Sequence, residues 1–325
     1  MNTQFVNGKL NEYIKWTDTD GNIINASDGG IIYANGKYYW YGMALRPLPF
    51  AANGQGGQTT VTGVVLYSSS DLYNWKYEKV ILRCSDDPNS DLYAPMRFER
   101  PKIIYNDCTG KYVLWCHFLK YPGDHKFEPG TGEAGVAVCD TIDGDFKWLG
   151  YTRPIDNDGM VRDCTLYKDS DGSAYFIYDR DINNERCLHI VKLSDDYLSC
   201  TNVYKRIDEA QKREAASILY HNGYYYMVTS GLTGWTANPA IYYRSKSLMG
   251  AWTEMGDPCI NDTTGTTFES QSTYMLKIEE KPESFILMAE RHNTENFENC
   301  SYIWLPVKFT DQNTIQIEYK EAWSR

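Results

Sequence analysis

One unit of local structure recurs five times along the chain, and this recurrence limits the fold more than any other feature. Each copy has a polar head residue, a short apolar strand, a turn and an aromatic-rich strand. Four of the turns contain Asn-Gly, Thr-Gly or Asp-Gly pairs, which favour β-hairpins. The five copies cover residues 28–42, 99–116, 162–178, 213–231 and 270–290.

Further strand-like runs follow each hairpin, so that the chain divides into five units of four strands. Tyrosine, with 27 residues among 325, is typical of strands. Repeated four-stranded units of this kind predict an all-β fold, a five-bladed β-propeller, and we expect a single domain over residues 1–325. The alternative is a β-sandwich whose hairpins are alike by chance.

The polar head residues are the first candidates for a functional site. They are Asp28, Glu99, Asp163, Glu214 and Gln271. In a propeller the first strand of each blade lines the central axis, so we expect these five side chains to share one pocket. Carboxylates that face one another raise one another's pKa values. Such a cluster is suited to acid–base catalysis or to a divalent cation. In the alternative reading, the acids only pair with the nearby arginines Arg97, Arg100, Arg162 and Arg213.

Charge and composition exclude several classes of partner. The net charge of −11 and the pI near 5.0 argue against nucleic acid, which requires clustered lysine and arginine. No apolar run approaches the length of a membrane-spanning helix. The first residues lack the apolar segment of a signal peptide, and nine scattered cysteines are typical of reduced thiols. We therefore expect a cytoplasmic protein with no nucleic-acid or membrane partner.

The segments around three head residues resemble glycoside hydrolase family 43. These segments are DGGIIYANGKYYW from residue 28, RDCTLY from residue 162 and REAAS from residue 213. The resemblance implies a five-bladed propeller and an inverting glycosidase that needs no cofactor. It assigns Asp28 as the base, Glu214 as the acid and Asp163 as the residue that orients the acid and tunes its pKa. Glycoside hydrolysis uses such a pair, one carboxyl group protonated and one ionised.

Further segments resemble the exo-β-1,3-galactanase branch of that family. They are NASDGGIIY, YYWYG, RPKIIYN, TSGLTGW and FESQSTY. This resemblance implies removal of terminal β-galactose from an oligosaccharide or polysaccharide, with Gln271 near the attacking water and Glu99 in contact with the sugar. Asp28 stands where the branch usually has glycine, Ser27 where it has histidine, and Met43 where it has an acidic sugar ligand. A methionine cannot accept hydrogen bonds as a carboxylate does, which leaves α-L-arabinofuranosides and β-xylosides as alternative substrates.

Two more residues are candidate sugar ligands. Trp235 lies in a Gly-bounded loop, where its indole face suits a sugar ring, although it could instead fill a blade interface. Arg100 follows Glu99 and could face the pocket rim or point away. His117 and His292 are interpreted as structural, and no metal site is predicted from side-chain spacing, although a structural calcium ion on the axis stays open. The Gly-rich segment 50–60 is interpreted as a loop near the pocket mouth.

Two non-enzymatic hypotheses use the same head residues. The first is a carbohydrate-binding propeller that has lost its activity, but loss of activity is expected to damage at least one member of the Asp28, Asp163 and Glu214 set. The second is an interaction scaffold stabilised by a metal on the axis. We rank the enzyme above both.

Overall fold

The computed structural model describes residues 1–47, 59–93, 97–119, 130–155, 159–183, 185–293 and 300–325. Most of the Gly-rich loop, residues 48–58, lies outside the described residues. The described segments contain strands, turns and bends but no helix. Within those segments, accordingly, nothing helical has the length and apolarity required to cross a membrane.

Five antiparallel sheets form the blades, each built from strands that are consecutive in the chain. Blade one contains β2 (Ser27–Ala34), β3 (Lys37–Pro47), β4 (Thr59–Ser69) and β5 (Lys76–Arg83). Blade two contains β6 (Arg97–Asn106), β7 (Lys111–Leu119), β8 (Glu133–Cys139) and β9 (Lys147–Thr152). Blade three contains β10 (Met160–Lys168), β11 (Ala174–Ile182), β12 (Glu185–Leu193) and β13 (Cys200–Gln211). Blade four contains β14 (Arg213–His221), β15 (Tyr224–Gly231), β16 (Ile241–Ser245) and β17 (Thr253–Gly256). Blade five contains β19 (Gln271–Ile278), β20 (Lys281–Arg291), β21 (Ser301–Phe309) and β22 (Ile315–Glu318).

Two short additions complete the sheets. The strand β18 (Cys259–Ile260) pairs in parallel with β22 at the outer edge of blade five. Near the two chain ends, β1 (Phe5–Val6) pairs with β23 (Ala322–Trp323). The innermost strands β2, β6, β10, β14 and β19 contact one another in a closed ring. The prediction of an all-β, five-bladed propeller is confirmed.

Hydrophobic packing between the blades holds this ring together. The buried apolar side chains form five clusters, one at each interface between neighbouring blades. At the interface of blades five and one, for example, Trp40 and Trp304 are both buried, with ring centroids 4.9 Å apart. Burial of aromatic side chains contributes much of the stability of such interfaces. Because every interface is packed, the strand ends that face the axis are held in fixed positions.

Each innermost strand carries a β-bulge near its start. In blades one to four, the pairs that flank the bulge are three residues apart on the innermost strand but two apart on its neighbour, and in blade five the register shifts between Ser272 and Tyr274. We call the residue three positions before the first pair beyond the bulge the pre-bulge position. It is occupied by Ser27, Glu99, Val161, Glu214 and Gln271.

This register corrects the expectation that the five head residues are equivalent. Glu99, Glu214 and Gln271 share the pre-bulge position, whereas Asp28 lies one residue beyond it and Asp163 two residues beyond it. Because successive strand residues point to opposite faces, an offset of one residue redirects a side chain. The hairpin pattern locates each strand head but does not reveal how the bulge places the residues within it.

The bulge bends the backbone sharply in blades one, two and four. The residue that follows the pre-bulge position has φ of 53° at Asp28, 51° at Arg100 and 54° at Ala215. Positive φ is uncommon for residues other than glycine and is found often at functional sites. Next to Asp28, a Cβ on Gly29 would lie 1.6 Å from the carbonyl oxygen of Tyr41, so glycine is required there. The bulge therefore turns specific side chains toward the axis.

Candidate active site

Glu214, at the pre-bulge position of blade four, has the properties of a catalytic acid. Its side chain is only 9% exposed, and its Oε2 accepts a hydrogen bond from Arg186 Nη2 at 2.9 Å. Burial and the negative charge of Asp163 outweigh Arg186 and raise the pKa of Glu214 to about 8. A carboxyl group with this pKa is protonated at neutral pH. It can therefore donate a proton to a leaving oxygen.

Gln271, at the pre-bulge position of blade five, contacts the acid directly. Its Nε2 donates to Glu214 Oε1 at 3.4 Å and to Ser230 Oγ at 3.2 Å. Its Oε1 accepts a hydrogen bond from Arg100 Nη2 at 2.5 Å. Because a guanidinium group only donates hydrogen bonds, Arg100 fixes which end of the amide faces Glu214.

Arg100 is buried among the strand heads and contacts four residues there. The side chain is 3% exposed, and its Nε lies 2.9 Å from Asp163 Oδ2. Its Nη1 donates to the carbonyl oxygen of Ser272 at 2.8 Å, and its Nη2 lies 3.6 Å from Asp28 Oδ1. This corrects the expectation that Arg100 sits at the pocket rim and binds substrate. Its donors are used inside the protein.

Asp28 is closed off from solvent. Its side chain is 0% exposed, and one oxygen lies 3.6 Å from both Arg100 Nη2 and His292 Nε2. Burial opposes ionisation, but the charges of Arg100 and His292 outweigh it and lower the pKa of Asp28. A general base must reach the water whose proton it removes. The geometry therefore shows Asp28 as an internal counter-ion, and its predicted role as the base is not supported by its position.

Two clusters near the axis combine carboxylates with histidine. One contains Asp28, Glu290 and His292, and the other Glu99, His117 and Asp163; in each, the ligand atoms lie within 4.8 Å of one another. Calcium prefers about six to eight oxygen ligands. Each cluster instead offers one imidazole nitrogen, and Arg100 approaches a carboxylate in both. These donors suit internal ion pairs better than calcium, and a bound calcium ion stays a prediction.

Glu99 and Asp163 retain some access to the pocket. The Glu99 side chain is 9% exposed, and its Oε2 lies 3.2 Å from His117 Nδ1. The Asp163 side chain, at 16%, is the more exposed of the two. Both side chains thus retain a small exposed fraction, and the assignment of Glu99 to the sugar stays a prediction.

Trp235 lies beside this pocket. Its ring packs edge-on against His292, with centroids 4.8 Å apart and an interplanar angle of 75°. The indole is half-buried, so part of it faces outward. The side chain is therefore in the neighbourhood of Asp28 and Glu290, and its stacking on a sugar stays a prediction.

Two of the three positions that depart from the galactanase pattern, Ser27 and Met43, make internal contacts. Met43 is buried in the apolar cluster between blades one and two and pairs with Ser27 across the strands. The Ser27 hydroxyl donates to Glu290 Oε2 at 2.7 Å. Both side chains are therefore occupied by internal contacts.

Four residues of the site were not identified from the sequence as functional. The sequence pattern indicates a structural role for His292 and gives no prediction for Asp179, Arg186 and Glu290, which the structure places in contact with the site. Asp179 and Glu290 are buried carboxylates on second strands of their blades. Burial, together with like charges, raises their pKa values despite the neighbouring cations. A buried acid at the end of an apolar strand, as in the run ending MAE at residue 290, was the signal available.

The arginine-pairing alternative holds for part of the set. Arg100 pairs with Asp28 and Asp163, whereas Arg162 pairs with Asp181. Arg213 donates to Thr229 and to the carbonyl oxygen of Pro239. Glu214, however, is held by Arg186, a residue from a different blade.

Comparison with known proteins agrees with this geometry. The family model described as "Glycosyl hydrolases family 43" matches residues 21–277. A solved β-1,3-galactosidase of the family, bound to galactodeoxynojirimycin, is 34% identical with a TM-score of 0.88, covering 99% of this chain and 100% of that one. An exo-β-1,3-galactanase from Clostridium thermocellum is 30% identical with a TM-score of 0.80, covering 99% of this chain and 66% of that one.

A curated relative points to related chemistry. A xylosidase/arabinosidase from Thermoclostridium stercorarium is 33% identical over 129 residues, which is 38% of this chain and 22% of that protein. The match thus spans less than a quarter of the relative's length. The family match, by contrast, covers most of the chain, and the resemblance predicted from the sequence is confirmed. The chain belongs to glycosyl hydrolase family 43.

Proposed function

We propose that this glycoside hydrolase removes terminal β-galactose from β-1,3-galactan-type oligosaccharides, acting from the chain end with inversion. The observation that carries the proposal is the environment of Glu214. A buried carboxyl group with a raised pKa stands at the ring of strand heads, beside the carboxylate of Asp163. The similar solved structures are β-1,3-galactosidases and exo-β-1,3-galactanases, which supports galactose as the sugar.

Glu214 protonates the glycosidic oxygen as the bond to the sugar breaks. Burial and the negative charge of Asp163 keep Glu214 protonated before the reaction, because both disfavour a second carboxylate there. Glu99 and Trp235 hold the terminal sugar. No cofactor takes part, since the proton and the water are the only reactants required besides the glycoside.

Asp28 and Gln271 compete for the role of holding the attacking water. Asp28 is buried and paired with Arg100 and His292. Gln271 is also buried and hydrogen-bonded at both amide ends, but its Oε1 has a second lone pair besides the one that accepts from Arg100. It shares the pre-bulge position with Glu99 and Glu214, which supports the glutamine. We therefore assign Gln271 as the residue that orients the water and Asp28 as the counter-ion that holds Arg100 in place.

A pentosidase is the second candidate. The curated xylosidase/arabinosidase relative favours it, as does Met43, which stands where the galactanase branch has an acidic sugar ligand. The cytoplasmic location stays a prediction. All nine cysteines are described, and none forms a disulfide, which is compatible with that location but also with others.

Sugar release from a panel tests the proposal. β-1,3-Galactobiose, arabinofuranosyl oligosaccharides and xylobiose are each incubated with the wild type, Asp28→Asn and Gln271→Ala. We expect galactose release, retained by Asp28→Asn and strongly reduced in Gln271→Ala. Proton NMR of the first product should show α-galactose, because inversion of a β-linkage gives the α-anomer.

The other outcomes point to the alternatives. Loss of galactose release in folded Asp28→Asn would indicate that Asp28 is the general base that activates the water. Release of pentose alone would establish the pentosidase. Binding of galactobiose without release would indicate a carbohydrate-binding propeller.

A further inference from the structure

Arg186 reaches the acid from the neighbouring blade. It lies at the start of β12, the third strand of blade three, whereas Glu214 begins blade four. Its Nη2 atom contacts both Asp179 Oδ2 and Glu214 Oε2, the latter at 2.9 Å. The Asp179 side chain is 0% exposed and that of Arg186 is 20% exposed. A single guanidinium nitrogen is thus shared between a buried counter-ion and the acid.

The two oxygens of Glu214 have different partners. Oε2 faces Arg186, and Oε1 faces Gln271 Nε2 at 3.4 Å. A guanidinium group has five N–H donors and no acceptor. Both partners are donors, but the charged Arg186 Nη2 lies 2.9 Å from Oε2 whereas the uncharged Gln271 Nε2 lies 3.4 Å from Oε1. A proton on Oε1 therefore meets less repulsion than one on Oε2, and a neutral Glu214 carries its proton on Oε1.

The unpaired atoms of the Arg186–Asp179 pair support this arrangement. Among the described residues, Asp179 Oδ1 and Arg186 Nε are buried without a hydrogen-bond partner. Arginine and carboxylate groups frequently pair through two parallel hydrogen bonds. This pair forgoes the second bond and keeps Nη2 on Glu214, which indicates that the arginine is placed for the acid.

We propose that Arg186, held by Asp179, is a positioning residue that directs the acidic proton to Glu214 Oε1 and stabilises the carboxylate left after proton transfer. The inference rests on the proposed function and deepens it. The proton leaves Oε1 for the glycosidic oxygen, which takes the electron pair of the broken bond to the anomeric carbon. Water forms the new bond to that carbon and releases its proton to solvent. The negative charge on Glu214 then accepts hydrogen bonds from Arg186 and Gln271.

Asp179 explains why a cation beside the acid does not ionise it beforehand. Arg186 alone would favour the carboxylate form of Glu214, whereas Asp163 and Asp179 favour the neutral form and Arg100 opposes them. In its ionised form, Asp179 thus offsets part of the effect of Arg186 on the pKa of Glu214. The Arg186–Asp179 pair thus keeps the hydrogen bond from Arg186 to Glu214 Oε2 while limiting how far Arg186 lowers the pKa of Glu214.

The test compares substrates that differ in their need for a proton. The leaving group of β-1,3-galactobiose is a sugar alkoxide that must be protonated, whereas 2,4-dinitrophenyl β-D-galactopyranoside releases a stable phenolate. Since general acid catalysis contributes about 10²–10⁴-fold, we expect Arg186→Met to lower kcat/KM on galactobiose by roughly 10–100-fold. On the dinitrophenyl substrate we expect less than a threefold loss, by the same argument. Arg186→Lys, which keeps the charge, should fall between, and Arg206→Met, an exposed arginine on β13, should match the wild type.

A second readout needs no substrate. With glutamate labelled at the side-chain carboxyl carbon, the Glu214 signal is assigned by its absence in Glu214→Gln, and its titration is followed by ¹³C NMR. Arg186→Met should raise the pKa of Glu214 above its wild-type value. An equal loss on both substrates, or an unchanged titration, would overturn the inference. If the wild type hydrolyses neither galactoside, the proposed function fails, and the titration alone decides whether Arg186 acts on Glu214.

Discussion

Blades one and four carry the same backbone feature and use it differently. Each innermost strand has a bulge, with φ of 53° at Asp28 and 54° at Ala215. In blade four the acid precedes the bulge, and its side chain retains 9% exposure at the pocket floor. In blade one the acid lies within the bulge and is completely buried. A shift of one residue separates the two placements.

The charge states of the two acids differ for the same reason. Asp28 lies between Arg100 and His292, which lower its pKa and keep it ionised. Glu214 has Asp163 and Asp179 nearby, so that burial and like charge raise its pKa. The first arrangement is that of a structural counter-ion and the second that of a proton donor. Two acids that look alike in the sequence thus become chemically different through their register.

The largest expected effect is the loss of turnover in Glu214→Gln. The amide keeps the shape of the side chain but cannot donate the proton, and general acid catalysis contributes about 10²–10⁴-fold. We expect kcat/KM on β-1,3-galactobiose to fall by roughly 10³-fold, measured by galactose release. Glu209→Gln, which removes an exposed carboxylate from β13, should retain full activity. If purified Glu214→Gln turned over at the wild-type rate, Glu214 would not be the catalytic acid, and the acids of blades one and four would not differ in function as argued above.

The second prediction concerns Asp28→Asn, whose main effect should be on stability. Removing one charge leaves the buried Arg100 and His292 without a shared counter-ion, and breaking a buried ion pair costs about 3–5 kcal/mol. Since Asp163 still pairs with Arg100, we expect a loss near the lower end, about 3 kcal/mol, in chemical denaturation. Asp171→Asn, at an exposed hairpin turn, is the matched control and should leave the stability unchanged.

Activity measured on folded Asp28→Asn sharpens the comparison. If Asp28 is only a counter-ion, it affects the reaction indirectly, by holding Arg100, which in turn holds Gln271. The kcat of Asp28→Asn should therefore fall far less than that of Glu214→Gln. A variant with wild-type stability and no turnover would show the opposite, namely that Asp28 is the base and that the acids of both blades take part in the chemistry.

The fold was predictable from the sequence because its signals are local. Turn pairs such as Asn35-Gly36 and Asn222-Gly223 mark hairpins within a few residues. The hairpin recurs five times along the chain, and this number predicts five blades. The same repeat predicts that the first residues of the five innermost strands meet near the propeller axis. The resemblance to family 43 also directed attention to Glu214 and Gln271, both of which the structure places at the site.

The details of the site depend on information that is not local. The side-chain direction of Asp28 depends on how many residues the bulge contains. The side-chain direction of Arg100 depends on its positive φ, which an arginine in the sequence does not predict. Arg186 contacts Glu214 across two blades and 28 residues of sequence. Such contacts follow from the packing of the ring and not from any pattern within one strand.

The smallest expected effect is a gain of stability in Glu214→Gln that depends on pH. The pKa of Glu214 is raised from an ordinary value of 4.5 to about 8 in the folded protein. Between these values the unfolded chain releases the proton and the folded protein retains it, so a rise in pH favours unfolding. Glutamine does not titrate and avoids this loss. The variant should therefore be more stable than the wild type by about 1–2 kcal/mol at pH 8, and the gain should vanish below pH 4.5. Urea denaturation at both pH values measures it, and an equal difference at the two would mean that Glu214 is not held in its protonated form by the fold.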